Sequence, residues 1–283
     1  MQINNQGTLY VVATPIGNMQ DITLRAIETL KSVDEIGCED TRHAAHLLNH
    51  FGIKKPSFSL HALNEKSRFE KIQQALAAGK NIAIISDAGT PLISDPGYHI
   101  VTSIRAAGFA VIPIPGPCAA ITALSAAGLP TDGFLFVGFL PSKSSQRQQK
   151  LQALAVTAST LIFYEAPHRL VASLDDLCLC LGEDRPAVVA REMTKRFETF
   201  VSGTLAEVRA HFQQHTDQVR GEVVILVRGA ADQADHAGIA AEQVLKLLLA
   251  ELPVKKAAKL TSEITGMRKN EAYALALKFT QKM

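Results

Sequence analysis

The stretch Ile82 to Pro96 reads I-A-I-I-S-D-A-G-T-P-L-I-S-D-P, and its two halves obey different chemistry. Four apolar residues with few turn formers fit a strand buried on both faces, as in a parallel sheet. From Ser86 to Gly97 the chain then places two Asp, two Pro, two Ser, one Thr and two Gly in a dozen positions, too dense in turn formers for strand or helix. A buried strand therefore empties into an elaborate loop. In open α/β sheets, ligands sit outside the carboxyl ends of strands, so this loop is expected to floor the active site.

Working outward, the same pattern recurs. Thr8 to Ala13 is a β-branched and aromatic strand that exits through Thr14-Pro15-Ile16-Gly17-Asn18. Asp21 can cap a helix over Thr23 to Ser32, with Leu24, Ile27 and Leu30 along one side. Glu35 to Cys38 is a brief strand leading into Glu39-Asp40-Thr41-Arg42 at the head of a second helix that ends near Gly52. A strand from Ser57 runs into His61-Ala62-Leu63-Asn64-Glu65, and a helix from Lys66 to Ala78 stops at Gly79. After the opening loop come a helix over Gly97 to Ala107 and a strand over Ala110 to Ile114. Alternating strand and helix implies a mainly parallel sheet with helices on both faces.

Pro115-Gly116-Pro117 reads as a hinge, giving domains at 1–114 and 115–231. The small-residue helix Cys118 to Ala127 has two readings: a surface that a backbone or flat ligand can approach, or tight packing on a sheet. Strands at 134–139, 160–164, 187–190, 198–201 and 222–227 alternate less strictly with helices, which suggests a mixed second sheet. Pro141 to Lys150 is polar and acid-free and carries Lys143, Arg147 and Lys150; a solvated loop is the plain reading, with Lys143 and Arg147 candidate RNA contacts beside it. Asp232 to His236 reads as a linker to a basic helical extension, 235–283, with Lys255, Lys256, Lys259, Arg268, Lys269, Lys278 and Lys282. Its helices around Thr265-Gly266 fit a helix-turn-helix or any small bundle; the charge raises the nucleic-acid reading to stand level with the bundle.

Composition bounds the rest. The 283 residues, 47% hydrophobic and 20% charged, suffice for two domains with a real core. A net charge of +2 does not select a partner. Cys38, Cys118, Cys178 and Cys180 lack disulfide or zinc spacing, and the N-terminus shows no secretory signal, so a cytoplasmic protein is expected. Phe109 to Asp132 is uncharged until its last residue, but Pro113, Pro115 and Pro117 exclude a membrane-spanning helix. His43, His46 and His50 share one helical arc, read as a polar flank rather than a metal site. A dinucleotide glycine fingerprint, a P-loop, a nucleophile elbow and a zincin helix are all missing.

The loops taken together carry a resemblance. T-P-I-G-N-M-Q-D-I-T from Thr14, E-D-T-R from Glu39, S-D-A-G-T-P-L-I-S-D-P-G from Ser86, P-I-P-G-P from Pro113 and A-R-E-M-T-K from Ala190 stand in the order and spacing of the tetrapyrrole methylase superfamily. The chain most resembles its ribosomal small subunit methyltransferase I branch, the 16S rRNA cytidine 2′-O-methyltransferases. The resemblance implies a homodimer of two α/β domains with S-adenosylmethionine in the interdomain cleft and the small ribosomal subunit as substrate. Cofactor positions carried over are Ile16, Thr90, Ile93, Cys118, Ala119, Tyr164, Glu165, Ala190, Arg191 and Val223. The chain departs from the small-molecule members where Thr14-Pro15-Ile16-Gly17 replaces a glycine-rich turn and Gly89-Thr90-Pro91 replaces G-D-P, which bears on a tetrapyrrole substrate rather than on the cofactor.

Methyl transfer disperses the sulfonium charge in the transition state, so alignment of acceptor and methyl should supply most of the acceleration. A ribose hydroxyl also needs a base or a neighbour stabilising the alkoxide. The candidates are Asp40, Glu39 and Glu192 at strand exits, with helix capping the other reading of Asp40. Arg42, Arg191, Lys195 and Arg196 read either as phosphate contacts or as surface charge, and His61 and Asn64 either line the acceptor side or close a turn. Two other functions fit less of the sequence: methylation of a small molecule such as a tetrapyrrole, and non-enzymatic nucleic-acid binding.

Overall fold

The computed structural model describes residues 6–61, 64–230 and 234–280, and side chains within these except at 234–240. Residues 1–228 and 229–283 form two compact units. The first unit opens with β1 (Thr8–Val12), α1 (Leu24–Ser32), β2 (Glu35–Cys38), α2 (Thr41–His50), β3 (Ser57–Ser59), α3 (Glu65–Ala77), β4 (Ile82–Ile85), α4 (Tyr98–Ala106) and β5 (Ala110–Ile114). Among the described residues these strands form one parallel sheet in the order β3-β2-β4-β1-β5.

The apolar run of β4 is continuous because both faces are covered. Ala83 and Ile85 pack with Leu30, Leu47 and Leu48 on one side, and Ile82 and Ile84 with Ile72, Leu76, Ile100 and Ile104 on the other. Each Leu or Ile among them contributes about 1.5–3 kcal/mol when removed from water. The sheet thus holds the ends of β1, β2 and β4, and the loops that leave them, on a rigid base.

The same unit continues with α5 (Ala119–Ala126), β6 (Phe134–Phe139), α6 (Ser144–Leu154), β7 (Thr160–Glu165), α7 (Leu170–Leu181), β8 (Pro186–Arg191), β9 (Thr199–Thr204), α8 (Leu205–Gln214) and β10 (Val223–Val227). Its strands make a mixed sheet in the order β6-β7-β10-β8-β9, parallel only between β6 and β7. Phe163 and Ile225 face a core with Leu174 and Phe212, whereas Val224 and Leu226 face α5 through Ala120, Ala123 and Leu124. Residues 115–118 therefore pass from the first sheet to the helix that covers the second. Gly116 makes that passage possible, since a Cβ there would stand 2.9 Å from Ala13 Cβ.

Several sequence expectations are corrected. Thr23, not Asp21, caps α1 by accepting the Ala26 N–H, and Leu24 is 80% exposed while Ala26 and Leu30 carry the buried stripe. The segment expected as a solvated loop is largely helix α6, and Arg147 within it is buried. Its Nε donates to Asp176 Oδ2 at 2.6 Å, and its other nitrogens reach the carbonyls of Pro141, Ser142 and Ala172. A guanidinium so enclosed is a structural cation and cannot meet RNA.

The second unit contains α9 (Ala234–Glu251), α10 (Val254–Thr265) and α11 (Lys269–Thr280), packed about Leu245, Ala257, Ala258, Ala272 and Ala276. Gly266, with φ +74°, ends α10 in the left-handed cap that favours glycine. The expected linker is helical from Ala234; Asp232 and Gln233 lie outside the described residues, as do Lys282, Ala62 and Leu63. No described helix is long and apolar enough to cross a membrane.

Candidate active site

The exits of β1 and β4 are tied together. Thr14 N–H donates to Gly89 O at 2.9 Å and Gly89 N–H to Thr14 O at 3.1 Å, an isolated antiparallel bridge between two loops. Gly89 has φ +80°, and a Cβ there would stand 3.2 Å from Ile16 Cγ2, so glycine is the residue the bridge accepts. Thr90 Oγ1 donates to Pro117 O at 2.9 Å, which fastens the loop to the segment between β5 and α5. Further along, Gly97 N–H donates to the buried carboxylate of Glu65 at 2.7 Å. Between these anchors Leu92 and Ser94 both have φ +72°, left-handed backbone that costs a non-glycine residue about 1–2 kcal/mol.

This strained loop forms one wall of a cavity of about 380 Å³, a volume suited to a small-molecule ligand. The facing wall comes from the second sheet and α5. Cys118 and Ala119 lie at the α5 N-terminus, where the Ala120 N–H donates to Tyr164 Oη at 3.1 Å. Among the described residues the lining includes Asp87, Asp95, Glu165 and Glu222 but no Lys, Arg or His.

Of the carried-over cofactor positions, Ile16, Thr90, Ile93, Cys118, Ala119, Tyr164, Glu165 and Val223 line this cavity. Glu165 turns its carboxylate away, to the Arg169 guanidinium, Ser173 Oγ and the Ala166 N–H. Ala190 and Arg191 do not line it; both are buried in β8, paired with Val224 and Val223 of β10.

The three acid candidates separate. Asp40 Oδ1 accepts the Arg42 N–H at 2.8 Å as the cap of α2. Hydrogen bonds from the Arg42 side chain and backbone hold its carboxyl at about 2, too acidic for a base near neutrality. That pair also occupies the Arg42 guanidinium, at 2.9 Å. For Glu192, burial pushes the carboxyl up but is outweighed by hydrogen bonds from Lys195 Nζ at 2.9 Å and the Glu222 N–H at 3.0 Å, leaving it lowered. Lys195 is thereby engaged as well, with Glu222 its second partner at 3.3 Å. Glu39 is raised, by burial and then by Asp87, and shares with Asp95 a crevice behind the main cavity.

Asp95 is the acid that sequence reasoning missed. It lines the cavity, and burial, with added repulsion from Glu39 and Asp87, raises its carboxyl to about 6 despite a bond from Ser86. The signal available beforehand was only its place in the opening loop. Glu39 faces that loop because β2 pairs with β4, Cys38 opposite Ile85.

The remaining positions lie in a turn or on exposed surface. Asn64 accepts the His61 N–H and donates to Ser59 O, so these residues close a turn. His43, His46 and His50 are exposed, and no group of three or more potential metal ligands occurs among the described residues. Lys143, Arg196, Lys255, Lys256, Arg268 and Lys269 are exposed.

Comparison with known proteins follows the same lines. Residues 8–209 match the family Tetrapyrrole (Corrin/Porphyrin) Methylases, and residues 235–279 match the RsmI C-terminal HTH domain. The chain is 52% identical to Ribosomal RNA small subunit methyltransferase I of Escherichia coli O157:H7, over 97% of this chain and 96% of the relative. It is 49% identical to the protein of that name from Haemophilus influenzae, over 98% of each. Among solved structures, uroporphyrin-III-C-methyltransferase from Thermus thermophilus aligns with a TM-score of 0.57 at 18% identity, covering 82% of this chain and 98% of that one. Another structure of a uroporphyrin-III C-methyltransferase from that organism, complexed with S-adenyl homocysteine, aligns at 0.53 and 20% identity over 78% and 97%. The chain belongs to the tetrapyrrole methylase family of S-adenosylmethionine-dependent methyltransferases, in its ribosomal RNA small subunit methyltransferase I branch.

Proposed function

We propose that this protein methylates the 2′-oxygen of a cytidine ribose in 16S rRNA of the small ribosomal subunit, as a cytoplasmic homodimer. The observation that carries the site is a cavity lined by the acids Asp87 and Asp95, with Glu165 and Glu222 paired to Arg169 and Lys195, and by no cation among the described residues, which suits a donor of net positive charge. When bound, S-adenosylmethionine supplies an electrophilic methyl group on a sulfonium. The residues present fit it: Ile16, Thr90 and Ile93 offer one wall, Cys118, Ala119 and Tyr164 the other, and the bridge at Gly89 keeps the two strand exits in register.

In this reading the chain contributes alignment and proton handling. The anchored loop from Ser86 to Gly97 holds its polar groups in place before substrate arrives, so little reorganisation is left for the reaction step. Asp95, rather than Asp40 or Glu192, takes the proton of the ribose hydroxyl, because a carboxyl at about 6 is ionised at neutral pH yet basic enough to accept it. Burial, and then repulsion from Glu39 and Asp87, keep it there. The exposed Lys143, Lys255, Lys256, Arg268 and Lys269 supply phosphate contacts.

Support for the homodimer comes from the edge strand β6, whose Phe134, Leu135 and Phe139 are 45%, 38% and 52% exposed. A second copy is the occupant this reading expects there. The test is transfer of labelled methyl groups from S-adenosylmethionine to small subunits from a strain lacking the enzyme. The expected product is one position resistant to alkaline cleavage, and absence of label in any RNA contradicts the assignment.

A further inference from the structure

The loop between β8 and β9 makes a display that the cofactor site does not use. Its start lines the cavity through Met193, and the stem of Lys195 lies over Gly17, where a Cβ would meet Lys195 Cγ at 2.7 Å. Four residues past Met193, Phe197 is 65% exposed. The Arg196 guanidinium carbon sits 5.5 Å from the centre of that ring.

This exposure does not come from a slack loop. Lys195 N–H donates to Glu192 O at 3.1 Å, Glu198 N–H to Lys195 O at 3.2 Å, and Thr194 N–H to Glu198 Oε2 at 2.6 Å. Thr199 Oγ1 donates to Phe197 O at 3.0 Å. Glu192 and Thr194 take φ +50° and +65°, conformations that non-glycine residues adopt where the surroundings enforce them. The carboxylates near the tip are engaged: Glu198 by the Thr194 N–H, and Glu222 by Lys195. A closed turn thus holds an aromatic face, and a planar cation with no carboxylate partner among the described residues, out to solvent beside the cavity.

We infer that Phe197 and Arg196 form a stacking platform for a nucleobase of the substrate RNA next to the acceptor ribose. Single-stranded bases are recognised by stacking on aromatic rings and on guanidinium planes, and a ring that already carries an arginine over it suits an electron-rich base. The platform rests on the RNA reading above. It differs from phosphate attraction in being directional and weakly dependent on salt.

The test uses the full chain with Phe197→Ala, Phe197→Trp and Arg196→Ala. Methyl transfer is measured against small-subunit concentration, S-adenosylmethionine affinity by calorimetry, and mass by sedimentation. Stacking is worth ~1–3 kcal/mol per base, so Phe197→Ala should lower kcat/KM for the subunit about 5- to 150-fold at 1.4 kcal/mol per factor of ten. Phe197→Trp should restore it, with donor affinity and mass unchanged in all variants. A Phe197→Ala enzyme within twofold of the parent overturns the platform alone. A loss that follows falling mass makes Phe197 a contact between copies, and one that follows weaker donor binding makes it a support of the cavity; either overturns the platform. Absence of transfer to any RNA by the parent removes the RNA reading and the platform with it.

Discussion

Replacing Asp95 by Asn should make the protein more stable and far less active, and the structure gives the first magnitude. Its carboxyl stands at about 6 against an ordinary 3.8, chiefly from burial and then from Glu39 and Asp87. Two units correspond to ~3 kcal/mol, which screening by the solvent that reaches this half-buried group reduces to about 1 kcal/mol. The folded state favours the protonated form, so this stabilisation is complete below pH 3.8 and is lost as pH rises through about 6. Asparagine has no charge to bury. Asp95→Asn should therefore melt about 2–4 °C above the parent at a pH of about 8 and together with it near pH 3.8. Losing a positioned base should lower kcat by about 10²–10⁴-fold and abolish the rise in rate centred near pH 6. Calorimetric melting and single-turnover methyl transfer across pH read both effects. A variant with parental kcat, or a parent whose rate is flat from about pH 5 to 7, refutes the assignment of Asp95 as base.

Other perturbations separate structural from binding charges. Arg147→Ala should lose about 3–5 kcal/mol of stability in urea, because it strands buried Asp176 without its partner, while the salt dependence of subunit binding stays as it was. Lys255→Ala, Lys256→Ala, Arg268→Ala and Lys269→Ala combined should leave melting within a few tenths of a kcal/mol but reduce the steepness with which binding falls with salt, measured by filter binding. Gly221→Ala should cost about 2 kcal/mol or more in urea, since φ is +81° and the new Cβ would fall 2.1 Å from Glu192 Oε1.

Much of the fold was legible because its signals are local. The apolar run of β4 and the turn residues after it gave a buried strand and a loop at its carboxyl end, and the alternation up to Ile114 gave the parallel sheet. What escaped depends on distant partners. Residues 144–154 have no apolar periodicity, and their helix is held by Leu151 and by Arg147 reaching Asp176 across 29 positions. The raised carboxyl of Asp95 comes first from its burial in the folded loop, and Glu39 adds to it because β2 lies beside β4 and brings that residue to the same crevice. Asp40 had two readings in the sequence, a base at a strand exit or the cap of α2, and the bond it accepts from the Arg42 N–H two residues away is that of the cap.

The central claim is that the donor lies between the Ser86–Gly97 loop and the Cys118–Tyr164 wall. A crystal structure of the protein with S-adenosylhomocysteine tests it most directly. The account predicts the ligand in contact with Thr90, Cys118 and Tyr164; a ligand bound elsewhere, with that cavity filled only by water, contradicts it.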